Sequence, residues 1–186
     1  NFLIKRKKNV TVITISKKFK RKFNKKIKFV SPRFNFWDKL SRRAKFVLGL
    51  IFLTKEILNN KKPIVLSFQA NIYCGILSKF LPFKLIIRSN SSPDGWSKNF
   101  LKQKFYKFGL SSAQNIIVNS HEFKKKIKNN FKLNSNCIYN PLNKIEIIRL
   151  SKTKVKFSFF KRDSLNVINV GRLEEQKDHR TLIKAI

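Results

Sequence analysis

Acidic side chains are scarce in this sequence. Nine Asp and Glu stand against 43 Lys and Arg, a formal net charge of +34. Two cysteines, Cys74 and Cys137, lie far apart and form no metal-spaced pair, which excludes a disulfide framework and leaves buried reduced thiols in a reducing cytoplasm. With only two histidines, His121 and His179, no His–Cys metal cluster and no Ser-His-Asp set can be assembled. Long apolar runs are missing too. The longest, Phe46 to Leu53, is far below the ~20 residues that span a bilayer. No secretory signal is visible. There is no methionine, the first residue is Asn1, and the last residues fall inside a helical pattern. These features lead us to expect a segment of a longer polypeptide.

What is present points to a folded protein. The chain has 186 residues, 42% of them hydrophobic, enough for one cored domain or one domain and part of another. The charge alone would suggest nucleic acid or an anionic membrane. However, 19 Phe beside 5 Gly is a skew that genome base composition can produce, so the charge is discounted as a sign of nucleic acid. A basic nucleic-acid-binding module remains the alternative, drawing on net charge and interleaved aromatics. Against it, the basic residues are spread along the chain and no nucleic-acid motif appears. Lys17 to Lys28 holds eight Lys or Arg interrupted by Phe19, Phe23 and Ile27 at four-residue spacing. That pattern suits a basic amphipathic segment on an anionic membrane surface, or a solvated basic loop.

Strands and helices alternate in order. Residues 1–8 read as a helix end or connector, Val10–Ile15 as a β-branched strand, Phe29–Val30 as a short strand and Trp37–Leu58 as a long apolar helix. Ile64–Phe68 reads as a buried strand, Asn71–Phe80 as a helix and Leu85–Arg88 as a strand running into a polar turn to Trp96. A helix over Ser97–Leu110 carries Phe100, Leu101, Phe105 and Phe108 on its apolar side. Then follow a strand at Ile116–Val118, a helix from His121 to Phe131 capped by Ser120, and a short strand at Cys137–Tyr139. Several strands are apolar on both faces, so we expect an α/β fold, a parallel sheet with helices on both sides. Its ligands would bind outside the carboxyl ends of the strands. Residues 1–150 form the expected first domain, 151–164 a linker, and 165–186 the start of a second α/β unit.

That second unit carries the clearest chemistry. Val167–Val170 reads as a strand, the polar turn opens on Gly171, and a helix follows. Arg172 and Lys177 sit on the turn near the expected helix N-terminus, where free N–H groups and the helix dipole favour an anion. In a Lys-rich chain they could equally be solvated loop cations. Gly171 lets the backbone approach a ligand or supplies a turn that needs positive φ. Glu174 and Glu175 read as solvated turn residues, Asp178 as a helix N-cap, and His121 and His179 as structural or exposed.

Gly171-Arg172-Leu173, then Gln176-Lys177-Asp178-His179 and Leu182-Ile183-Lys184-Ala185, resemble the retaining GT-B glycosyltransferases of the large group 1 family, glycosyltransferase family 4. Three earlier pieces agree in order and spacing: Leu85–Asn90, Asn115–Ser120, and Cys137–Pro141 with its Asn-Pro pair. The likeness runs from about Val10 to Ile186. It implies a GT-B fold, a Rossmann-like N-terminal domain on the acceptor side followed by the first strand–turn–helix of a Rossmann-like nucleotide-sugar domain, with chain missing at both ends. It implies that Gly171, Arg172 and Lys177 hold the donor diphosphate, Arg172 and Lys177 also acting in catalysis. Arg88, Ser89 and Asn90 would lie on the acceptor side, where the family often has a His that this chain lacks.

The implied reaction moves a sugar from a UDP- or GDP-sugar to a glycan or polyprenyl-linked acceptor with retention, in surface polysaccharide or lipopolysaccharide synthesis. The segment alone would be inactive. No cofactor or metal is implied, and the acids contain no Asp-x-Asp pair of the kind metal-dependent transferases use. The implied location is the cytoplasm, peripheral at the inner membrane face, with Lys17 to Lys28 as the membrane contact and no specific nucleic acid as partner.

Overall fold

The computed structural model describes residues 2–6, 9–16, 20, 23–92, 99–153 and 165–186. Residues 17–19, 21 and 22 of the basic segment, 93–98 of the polar turn and 154–164 of the expected linker lie outside these. The chain divides into two compact units, Asn1–Asn140 and Pro141–Ile186. The break falls at the Asn-Pro pair, ten residues before the boundary expected at 150.

The first unit opens with a short helix α1 (Phe2–Lys5) and a parallel strand pair, β1 (Thr11–Ile13) and β2 (Lys28–Val30). The helical pattern expected over Trp37–Leu58 splits in two. A 3-10 turn covers Asn35–Lys39, Leu40 is extended, and α2 runs from Arg42 to Leu58. Ser41 causes the restart: its hydroxyl accepts the Ala44 N–H at 3.3 Å, satisfying a donor that the first turn cannot pair internally.

The main sheet follows from four strands joined by helical crossovers: β3 (Ile64–Ser67), α3 (Asn71–Leu77), β4 (Lys84–Ser89), α4 (Phe100–Leu110), β5 (Asn115–Val118), α5 (His121–Phe131) and β6 (Asn136–Cys137). All pairings are parallel and the spatial order is β3-β4-β5-β6. Register places Ser67, Ile87 and Ile116 in one row, and Ser89 beside Val118. Leu85, Ile87, Ile116 and Val118 of this face are buried with Leu53 and Ile57 of α2, Cys74 of α3, Leu110 of α4 and Ile127 and Phe131 of α5. Fully burying each such side chain contributes roughly 1.5–3 kcal/mol.

Two expectations need correcting. Helices on both faces were expected, but α3, α4 and α5 step along the strand order one after another, so their buried residues join a single core on one face. On the other face Ile64, Leu66 and Phe68 are exposed. Ile64–Phe68 was also expected to be buried. As an edge strand with one face uncovered, it alternates instead.

Helix α3 meets α4 at two glycines. A Cβ on Gly75 would lie 1.8 Å from the Gly109 carbonyl oxygen, and one on Gly109 would lie 2.8 Å from Ile72. The Ser112 hydroxyl is 2.6 Å from the Gly75 oxygen and 2.9 Å from that of Gly109, so it ties both helix ends.

The second unit contains α6 (Lys144–Ser151), capped by Asn143, a 3-10 turn over Glu175–Lys177, and α7 (His179–Ala185). The strand expected at Val167–Val170 is not formed. A strand needs a neighbouring ladder, and none pairs with this segment among the described residues, so Leu165, Ile168 and Val170 stay exposed.

Candidate functional site

At the carboxyl ends of the main sheet, polar side chains replace the apolar rows. Ser67 closes β3, and its hydroxyl lies 2.6 Å from the Gln69 carbonyl and 2.7 Å from Asn71 Oδ1. Asn71 begins α3 and donates Nδ2 to the Arg88 carbonyl at 3.1 Å. The two residues thus bind the strand–helix turn of β3 to the end of β4. Between them Ala70 adopts a left-handed conformation at φ 53°, a strained choice for a residue with a Cβ.

Arg88, expected on the acceptor side, has no acidic partner among the described residues. Nη2 donates to the Ile138 carbonyl at 3.1 Å and to Asn140 Oδ1 at 2.8 Å, so Arg88 reaches across β5 to fasten the segment that leaves β6. Both bonds use one nitrogen; Nε and Nη1 make no bond among the described residues. Ser89 is buried, with its hydroxyl 3.2 Å from the Ser91 carbonyl, while Asn90 is exposed. Ser89 is therefore a turn-forming residue, and Asn90 is the accessible one of the three.

At the end of β5, Asn119 Oδ1 is buried without a hydrogen-bond donor. Leaving such an oxygen unpaired costs about 1–3 kcal/mol. The sequence marked Asn140 by its Asn-Pro pair but gave no site role to Asn71 or Asn119, whose signal is position alone: Asn71 opens α3 and Asn119 directly follows β5. Depressions of about 260 Å³ around Gln114 and Ser135 and about 410 Å³ around Ile57 and Pro82 lie at the opposite, amino-terminal ends of the strands.

The second constellation is the turn of the second unit. His179, taken as structural, organises it. Its Nδ1 lies 2.7 Å from Asn169 Nδ2 and its Nε2 lies 2.8 Å from the Arg172 carbonyl. The amide can only donate and the carbonyl only accept, so these partners assign the proton to Nε2. Asp178 caps α7 as expected, its Oδ1 accepting from Thr181 N at 3.3 Å and Thr181 Oγ1 at 2.9 Å. Arg172, Lys177 and the exposed Gly171 are thus carried on a backbone pinned from both sides.

Gly171 does not have positive φ, which removes one of the two roles expected for it. A Cβ there would sit 3.4 Å from Lys177 Cγ and 3.4 Å from His179 Cε1, ordinary contact distances at which the Lys177 stem and the imidazole lie over the glycine. Glu174 is not merely solvated: its Oε1 pairs with Arg172 Nη1 at 2.8 Å. Both side chains are largely in solvent, where such a pair is worth roughly 0.2–1 kcal/mol and can yield to a stronger anion. Helix α7 has only seven residues, so the two side chains, rather than a long helix dipole, supply the positive field.

Among the described residues no three His, Cys, Asp or Glu side chains gather into a metal-holding group. No helix among them is long and apolar enough to cross a membrane.

These features define the class of protein: a mixed α/β chain with parallel sheets, compatible with a Rossmann-like fold, with polar groups at the carboxyl ends of its strands. Comparison with family models, curated proteins and solved structures gave no match to this chain.

Proposed function

We propose that this chain belongs to a retaining, metal-independent GT-B glycosyltransferase, with its first unit on the acceptor side and its second on the donor side. The donor is a UDP- or GDP-sugar, and the acceptor is a glycan or polyprenyl-linked glycan at the cytoplasmic face of a membrane. The observation that carries the reading is the pinned turn: Arg172 and Lys177 stand on one loop, held where His179 Nε2 meets the Arg172 carbonyl at 2.8 Å and Asp178 caps the helix that follows.

The chemistry follows from charge. As the glycosidic bond to the donor breaks, the departing diphosphate gains negative charge. Arg172 can hold two phosphate oxygens in a planar fork, and Lys177 adds a point charge. Donors fixed in advance at the place where charge develops stabilise the transition state more than the ground state. Glu174 competes with the phosphate for Arg172 and must turn away on binding. At the sheet end, exposed Asn90 and the unused nitrogens of Arg88 are the groups available to acceptor hydroxyls.

The test is kinetic, in the full-length protein. Arg172→Ala and Lys177→Ala should each lose about 2–4 kcal/mol of transition-state stabilisation in kcat/KM. Glu174→Gln should hold donor at least as tightly as the parent, because it removes the competing carboxylate. Near-parental turnover in both cation variants would sink the assignment. So would a Glu174→Gln variant as impaired as Arg172→Ala, since that would make the ion pair structural.

A further inference from the structure

Helix α4 has one side in the core and another with no work to do there. Gly109 and Leu110 are buried and Tyr106 is half-buried. At 100° per residue, Phe100, Leu101, Phe105 and Phe108 fall on an arc of roughly 140° turned away from them. Their exposures are 66%, 73%, 45% and 51%, high for four large apolar side chains on one helix. Sequence periodicity had suggested that this was the packing side; the glycine contact with α3 decides otherwise.

Cations lie within and beside the stripe, Lys104 falling inside the arc. Lys104 Nζ sits 4.5 Å from the Phe100 ring centroid and Lys79 Nζ 4.3 Å from that of Phe108. Lys102 and Lys107 are exposed on the same helix, which has no acidic residue. The neighbouring α5 exposes Lys124, Lys125 and Lys128, and its one acid, Glu122, is paired with Lys126.

We propose that the outward face of α4 docks on an anionic lipid bilayer, the Phe and Leu side chains entering the headgroup–acyl boundary and the lysines meeting lipid phosphates. Apolar side chains on one arc with lysines beside them are the chemistry of an interfacial helix. Nucleic acid fits less well. The faces of Phe100 and Phe108 lie under ammonium groups instead of being open for base stacking, and the helix is convex where a strand would need a groove. The stripe lies outside the Lys17 to Lys28 segment in sequence. It also stands apart from the transferase reading, since it requires no donor site.

The experiment is co-sedimentation of the full chain with vesicles of phosphatidylcholine, with and without phosphatidylglycerol. Net charge alone will draw so basic a protein to anionic vesicles, so the deciding variant keeps the charge. Leu101→Ser/Phe105→Ser/Phe108→Ser should lower the partition coefficient at least about tenfold, with unchanged circular dichroism. Unaltered partitioning of that variant overturns the proposal. A single Phe105→Trp substitution guards against misfolding. Its added emission should be quenched by brominated lipid in anionic vesicles, and absence of quenching while the protein is bound also overturns it. If the triple variant instead loses affinity for single-stranded RNA but not for vesicles, the surface is a nucleic-acid site and the proposal is wrong.

Discussion

Gly49 and Gly75 make a matched pair for testing the packing that sets the direction of α4. Both lie inside helices, where replacing Gly by Ala ordinarily gains about 0.5–1 kcal/mol by restricting the unfolded chain. A Cβ on Gly49 in α2 meets nothing within 4 Å, so Gly49→Ala should show that gain in full. A Cβ on Gly75 would lie 1.8 Å from the Gly109 oxygen and 2.6 Å from its carbonyl carbon. Those are backbone atoms, which cannot turn aside as a flexible side chain can. Helices α3 and α4 would have to separate by more than an ångström, loosening their contact and the Ser112 bridge to both carbonyls. Overpacking of this kind costs roughly 1–3 kcal/mol, and a weakened hydrogen bond about 1 kcal/mol more. Set against the propensity gain, Gly75→Ala should destabilise by about 2 kcal/mol. Urea unfolding followed by circular dichroism would read both variants as shifts of midpoint at constant slope. The two should move in opposite directions. A stabilised Gly75→Ala protein would show that the helices do not cross at these glycines, and the outward assignment of the α4 stripe would lose its footing.

Two further predictions concern local strain and burial. Lys132 ends α5 in a left-handed conformation at φ 57° with an exposed side chain, so Lys132→Gly should stabilise by about 0.5–1 kcal/mol in the same assay. Burial pushes the Cys74 thiol above its ordinary value of 9.0, with a hydrogen bond from Ser67 partly opposing. The folded state therefore holds that proton more tightly than the unfolded chain. The stabilisation is fully present below the ordinary thiol value and is lost as pH rises through the folded one. At pH values near neutrality a thiol reagent should modify half-exposed Cys137 readily and Cys74 only as the core opens.

How much could be read beforehand depended on whether the controlling interaction was local. Ser120 and the helix His121–Phe131 were legible to the residue, because a hydroxyl accepting the Phe123 N–H is decided within four residues. Asp178 as a cap was legible for the same reason. Ser41 could have been found by the same rule, but a continuous apolar pattern from Trp37 hid the break. Non-local facts were not legible. Val167–Val170 has a strand's composition, yet composition does not supply a neighbouring strand. Ile64–Phe68 reads the same at an edge as at a centre. Arg172 and Lys177 stood out as cations on a turn, whereas the Glu174 pairing and the two bonds made by His179 depend on where a folded loop brings its side chains. For Arg88 the partners, Ile138 and Asn140, lie 50 and 52 residues away.

Strand β3 also bears on how the protein behaves in crowded solution. It is an uncharged edge strand whose Ile64, Leu66 and Phe68 face is uncovered, the kind of surface on which a second chain can add a strand and begin an aggregate. The three residues just before it are Lys61, Lys62 and Pro63. Two like charges resist the approach of an identical edge, and a proline cannot donate to a growing ladder. The lysine excess therefore has a colloidal role at this edge, keeping copies of the chain apart where their backbones would otherwise match.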